Sequence, residues 1–152
     1  MTLYKIDRKR EIFLTKDKSN IGITTTNVYK DTRTIPTTVE TVIETIQLPL
    51  DSWRKLLQHV DYLDDEILPR LRQGRYVHFE RSLGSDFQLY IRQAYQCIVI
   101  RKVNYKTDTR RILIPEGRSW SRLLHFVNIL LVESEKKPPI QSLTLPWSDQ
   151  LD

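Results

Sequence analysis

Between Phe87 and Ile114 the chain alternates apolar side chains with tyrosine and arginine in a way that sorts charge onto one side of a sheet. If Phe87, Leu89 and Ile91 point to a core, strand alternation turns Gln88, Tyr90 and Arg92 the other way. On the next run, Ile98 and Ile100 inward leave Val99, Arg101, Val103 and Tyr105 outward; on the third, Ile112 and Ile114 leave Arg111 and Leu113. Tyr95 stands at the turn between the first two runs, and Lys102, Lys106 and Arg110 add positive charge along the same stretch. Cations interleaved with aromatic rings suit a single-stranded nucleic acid, which needs a positive track for phosphates and flat platforms for bases, each stacked base contributing ~1–3 kcal/mol. Every one of these side chains also has a plain structural use. A tyrosine can pack at a sheet edge with its hydroxyl wet, and a strand arginine can simply discourage edge pairing. Their coincidence on one face favours binding over either use alone.

The first half offers less. Lys16 and Lys18 flank a turn, and Thr24, Thr26, Lys30 and Arg33 can donate to phosphates, contacts that position a backbone without reading its sequence. For the threonines, β-propensity is the stronger explanation. "KIDRKRE", residues 5–11, reads equally as a disordered basic arm or a solvated leader. The net charge of +5 agrees with a partner carrying phosphates or an acidic surface but does not select one.

Other chemistries find no support. There is no phosphate loop, nucleophile motif or metal-ligand spacing, so no enzyme, cofactor or metal is expected. Cys97 is the only cysteine, which excludes an internal disulfide, and His59, His78 and His125 are scattered. The acidic run Asp61–Glu66 reads as a solvated helix end. The N-terminus lacks the apolar core of a signal peptide, and no run approaches the ~18 apolar residues of a membrane span. A soluble intracellular protein is expected, nuclear or nucleoid-associated, with no membrane partner.

The elements that must position these residues announce themselves as a repeat. "WRKLLQHVDYL", from Trp53, and "WSRLLHFVNIL", from Trp120, lie 67 positions apart (53 to 120). Trp53, Leu56, Leu57, Val60 and Leu63 match Trp120, Leu123, Leu124, Val127 and Leu130, the stripe of an amphipathic helix. Upstream, "IQLPLDSW" matches "ILIPEGRSW": a strand ends at Pro49 or Pro115, then Asp51 or Ser119 offers a helix N-cap. Both tryptophans are therefore expected in the core or between the helices.

Strands are expected ahead of each helix, in 11–18, 20–31 and 37–48, then in 76–82, 86–93, 96–105 and 109–114. Turns fall at Asp17–Asn20, Asp31–Pro36, Gly84–Asp86 and Lys106–Asp108. The fold class is α+β: two tandem antiparallel β-meander plus helix units, one at 1–68 and one at 76–135, with a linker at 69–75 and a tail at 136–152. A single unit of ~60 residues has too little core to stand alone, so the two should form an intramolecular pseudo-dimer, their tryptophan helices packed against each other or across the opposite sheet, each covering what the other exposes.

The order "FQLYIRQAYQCIVIRKVNY...RRILIPEGRSWSRL", Phe87 to Leu123, resembles the positive cofactor four family of transcriptional coactivators. The first unit shares the resemblance mainly from Ile46 onward, and Pur-repeat and Whirly proteins are similar at this level. The resemblance implies single-stranded DNA binding by the outer sheet faces and helices that form the dimer contact. It places Tyr95 at the family's aromatic turn position and Arg101 at its strand arginine, while Tyr105 falls one residue from the family's tryptophan. This chain departs from the family's usual single unit by carrying two, and Glu40 and Glu44 in the first unit weigh against nucleic-acid contact there.

These readings converge on a largely sequence-independent binder of single-stranded DNA, or of RNA, acting in transcription or replication. The contacts named for it are Tyr90, Arg92, Tyr95, Arg101, Lys102, Tyr105, Lys106, Arg110 and Arg111, with Lys16, Lys18 and Lys30. A module docking on transcription or replication proteins is the competing class, in which the tail around Leu143, Leu145 and Trp147 covers a sheet edge or grips a neighbouring chain. Further homo-oligomerisation of the pseudo-dimer stays open.

Overall fold

A computed structural model describes residues 3–103 and 110–136. Two four-stranded antiparallel meanders alternate with helix. The first sheet has the order β1 (Leu3–Lys5), β2 (Arg10–Leu14), β3 (Asn20–Asp31), β4 (Thr38–Pro49). The second runs β5 (Glu80–Ser82), β6 (Phe87–Arg92), β7 (Cys97–Lys102), β8 (Arg111–Pro115). After the first comes a helical stretch, α1 (Leu50–Gln58), α2 (Val60–Tyr62), a π-helical turn (Leu63–Ile67) and α3 (Leu68–Arg72); after the second comes α4 (Arg118–Ser134). The expected α+β class with tandem meander-helix units is the observed one.

One core serves both units. Ile12, Ile21, Ile23, Ile46 and Leu48 from the first sheet share a buried cluster with Leu89, Ile98, Ile100, Ile112 and Ile114 from the second. The two helix stripes fill it: Trp53, Leu56 and Leu63 are buried, as are Trp120, Leu123, Val127 and Leu130, while Leu57, Val60 and Leu124 pack half-buried against it. Each helix reaches across. Phe126 on α4 stacks on Tyr4 of β1 with ring centroids 4.7 Å apart, and Tyr62 stacks on Phe79 of the second unit at 6.1 Å. The physical reason is the one the length suggests: a four-stranded sheet with a single helix leaves apolar surface that only the other unit can cover.

Several local expectations are corrected. β1 was not foreseen, being three residues long with no alternation to read. The strand expected over 11–18 stops at Leu14, because Asp17 gathers the Thr15 and Ser19 hydroxyls into a turn completed by Lys18 at φ 60°. The strand expected over 76–82 holds only Glu80–Ser82; ahead of it, the Val77 amide donates to the Gln93 side chain at 3.0 Å rather than to a ladder. Neither Asp51 nor Ser119 caps a helix: the N-cap positions are Pro49 and Gly117, without a side-chain bond. Asp51 pairs with Arg54 instead, and Ser119 with Asp7.

The stretch expected as a linker is helical through Arg72, with Leu68 and Leu71 buried and Pro69 directly after the π-helical turn, where a local change of hydrogen-bond pattern accommodates its missing amide. The acidic run is not a helix end; it lies inside the helical stretch, and Asp64 accepts the Trp120 indole N–H at 3.0 Å. The expected turn at Lys106–Asp108 and the tail from 137 onward, with Leu143, Leu145 and Trp147, lie outside the described residues.

Candidate nucleic-acid interface

The register of the second sheet sorts its side chains as alternation requires. Leu89, Ile100 and Ile112 form one inward row, and Ile91, Ile98 and Ile114 another. The intervening rows face outward: Ser82, Gln88, Arg101 and Arg111 stand abreast across four strands, beside Glu80, Tyr90, Val99 and Leu113, and then Arg92, Cys97 and Pro115. With strands ~4.8 Å apart, the row from Gln88 to Arg111 spans about 10 Å.

On this face two arginines lie over two tyrosines. The Arg92 guanidinium sits 4.4 Å from the Tyr95 ring centroid, and that of Arg101 sits 5.0 Å from Tyr90. Arg101 also donates to the Gln88 side-chain oxygen, while its Nε is buried and makes no hydrogen bond to the described residues. Among the described residues, none of Arg92, Arg101 and Arg111 has a carboxylate within ion-pair distance; Glu80, opposite Tyr90, is exposed at the edge strand. Tyr95 and Arg111 are exposed, and Tyr90, Arg92 and Arg101 half-buried.

Val99 is fully buried although it points outward and stands apart from the core cluster, and Cys97 beside it is buried too. Their burial on an outward row means that the flanking arginine and tyrosine side chains roof the middle of the face. Burial pushes the Cys97 thiol up from its ordinary pKa, against the opposing pull of Arg92 and Arg10.

The structure divides the remaining candidates. Lys102 pairs with Phe87 and follows the inward alternation of Ile98 and Ile100, so it does not join the arginine row. It meets Arg110 instead, where both line a cavity of about 420 Å³ with Asn20, Thr45, Ile46 and Gln47 of the first unit. Tyr105 and Lys106 lie outside the described residues. Lys16 is exposed in the β2–β3 turn, and the Lys18 ammonium donates to the Lys136 carbonyl at 3.1 Å. Lys30 is near the far end of β3, ten positions and so about 33 Å along the strand from Asn20, the residue that follows the Lys18 turn. These three lysines do not converge with the arginine face.

The outer face of the first sheet is close to neutral. It carries Leu3, Lys5, Glu11, Phe13, Thr24 and Gln47, with Thr24 and Thr45 hydroxyls 3.1 Å apart across the ladder. Phe13 was missed as an aromatic platform, although Ile12 and Leu14 inward were enough to turn it outward; its ring lies over Gly22, where a Cβ would come within 2.5 Å of it. Beyond Thr25, the last residue paired with β2, strands β3 and β4 continue as an exposed two-stranded arm bearing Val28, Val39 and Ile43 on one side and Glu40 on the other.

Among the described residues no cluster of three or more histidine, cysteine, aspartate or glutamate side chains forms a metal site, and no helix is long and apolar enough to cross a membrane. Comparison with family models, with curated proteins and with solved structures finds no match to this chain.

Proposed function

We infer that the protein binds single-stranded nucleic acid through the outer face of its second sheet, with DNA the preferred ligand and RNA the alternative, as the resemblance to the positive cofactor four family implies. The observation that carries this reading is the pair of arginine-over-tyrosine contacts, Arg92 on Tyr95 and Arg101 on Tyr90, on a face where no described carboxylate neutralises the guanidinium groups. Such a face offers phosphates their counter-charge and bases a ring to stack on, without the bidentate base-edge contacts that read sequence. Binding is therefore largely sequence-independent and involves no chemical step, which suits a role in transcription or replication.

The test is a fluorescence titration of labelled single-stranded DNA, single-stranded RNA and duplex at two salt concentrations, repeated with Arg92, Arg101 and Arg111 changed to alanine. Each phosphate contact contributes about 0.7 to the salt slope for a single strand. The triple variant should lose about 2 from that slope along with affinity. Unchanged affinity would remove the face from consideration. A second reading, docking of a transcription or replication protein, is favoured by the exposed Val28, Val39 and Ile43 of the β3–β4 arm. It predicts association that barely responds to salt.

A further inference from the structure

The basic motif Lys5–Glu11, which no part of the sheet face uses, is neither an arm nor a free leader. It forms the end of β1, the turn and the start of β2, and it is strapped along α4 of the other unit. Tyr4 stacks on Phe126 with an interplanar angle of 4°, the Lys5 carbonyl accepts from the Arg122 guanidinium at 3.3 Å, and the Asp7 carboxylate accepts from the Ser119 hydroxyl at 2.7 Å. Positions 4, 5 and 7 thus meet 126, 122 and 119 in register. The consequence is a convergence of cations from two distant parts of the chain: Arg8 and Lys9 from the strap, Arg118 and Arg122 from α4, all exposed; the Lys5 side chain points the other way, onto the outer face of the first sheet.

Little opposes them. Asp7 is already committed to Ser119, Arg10 and the Lys9 amide, and Glu11 lies across from Lys5 beyond ion-pair distance. Among the described residues none of these four cations has a carboxylate within 4 Å. Beside them a shallow depression of about 420 Å³, lined by Arg118, Ser121, Arg122, His125 and Phe126, offers ring surface next to charge. Holding four like charges together in the folded state is unfavourable, and a polyanion relieves it.

We propose that this strap-and-helix patch is a second phosphate-contacting surface, which takes the backbone of the same single-stranded nucleic acid as it leaves the sheet face. The proposal rests on the reading above for its ligand. Helix α4 buries Trp120, Leu123, Val127 and Leu130 in the core cluster, so its exposed stripe and the arginine face look away from opposite sides of the second sheet. The edge strand β8 lies between them. It carries Arg111, and at its edge the Arg10 Nε donates to the Leu113 carbonyl at 2.6 Å, so basic side chains mark the way around.

The experiment is a four-way cycle with the full chain and labelled oligodeoxythymidylate: wild type, Arg8→Ala/Lys9→Ala/Arg118→Ala, Arg92→Ala/Arg101→Ala/Arg111→Ala, and all six changes, each titrated over a range of salt. Among the described residues, Arg8, Lys9 and Arg118 make no side-chain bond that the first triple would lose, and circular dichroism checks its fold; Arg8→Lys/Lys9→Arg/Arg118→Lys should bind as wild type. The patch triple is expected to bind at least tenfold more weakly at low salt, with a slope shallower by about 2. Wild-type affinity and slope in that triple would overturn the proposal. If the sheet triple alone binds like wild type while the patch triple does not, the sheet reading fails and the patch stands. No binding by the wild type sinks both.

Discussion

The indole nitrogen of Trp120 lies 3.0 Å from a carboxylate oxygen of Asp64, in the π-helical turn of the other unit, whereas Trp53, its counterpart in the repeat, donates at 2.9 Å to the Ile21 carbonyl of its own sheet. Equivalent positions therefore hold different joints: Trp53 pins a helix to its own meander, and Trp120 pins the two units together. Changing Trp120 to Phe should destabilise by about 1–2 kcal/mol, and Asp64→Ala should couple with it in a double-mutant cycle by at least 0.5 kcal/mol, taking about 0.5–3 kcal/mol as the range for residues in contact. Trp53→Phe removes one of two donors from the Ile21 carbonyl, which the register still pairs with the Leu48 amide; it should cost about 0.5–1.5 kcal/mol for the lost hydrogen bond, yet add independently of Asp64→Ala, which is roughly 16 Å away along the helical stretch. Urea melts of the five variants decide it; coupling of Asp64 to Trp53 rather than to Trp120 would contradict the assignment.

Gly22 and Phe13 make a second such pair. Any side chain at position 22 must displace the Phe13 ring, since a Cβ would fall 2.5 Å from its nearest carbon. Gly22→Ala should destabilise by about 1–2 kcal/mol, even though alanine normally improves on glycine within a strand. With Phe13→Ala already present, the same change should become neutral or stabilising. Thermal melts showing an equal cost in both backgrounds would mean that the ring does not set the constraint.

Much of this molecule is legible in its sequence because its strongest signals are periodic. The alternation at Phe87–Ile91 and Ile98–Ile100 fixed which side chains face outward, and the matched stripes beginning at Trp53 and Trp120 predicted both helices and one shared core. Features set by contacts between distant segments were not readable. Lys102 seemed to belong with Arg101 because the two are adjacent, but adjacency on a strand means opposite faces. Ser119 seemed a cap because it follows a strand and precedes a helix; it bonds instead to Asp7, 112 positions earlier. "KIDRKRE" carried no periodicity at all, so its strap along α4 exists only in three dimensions.

That strap gives the fold a pH response. Burial would push the Asp7 carboxyl up, but hydrogen bonds from Ser119 and the Lys9 amide, together with Arg10, more than offset it and hold its pKa below the ordinary carboxylate value. A carboxylate depressed by folding adds stability that is present above its unfolded pKa, about 3.9, and is lost as pH falls through the folded value. Asp7→Asn should therefore lower stability at neutral pH and flatten the decline between about pH 5 and pH 2 relative to wild type. Parallel curves for the two proteins across that range would remove Asp7 from the acid transition.

Cys97 tests the roof over the outward row. Its thiol is buried beneath the face that carries Arg92, and burial raises its pKa despite the nearby guanidinium groups of Arg92 and Arg10. Less thiolate and less access both slow attack on a disulfide reagent. In the native protein at pH 8 the reaction with an aromatic disulfide should therefore run at least tenfold slower than in urea. Arg92→Ala removes charge that favours the thiolate but also opens the roof, and the two effects separate with pH. If access dominates, the variant reacts faster than wild type throughout; if the charge dominates, it reacts more slowly until the pH passes the raised pKa of the thiol and converges above it. A native rate equal to the unfolded one would show that the arginine and tyrosine side chains leave the middle of the sheet open.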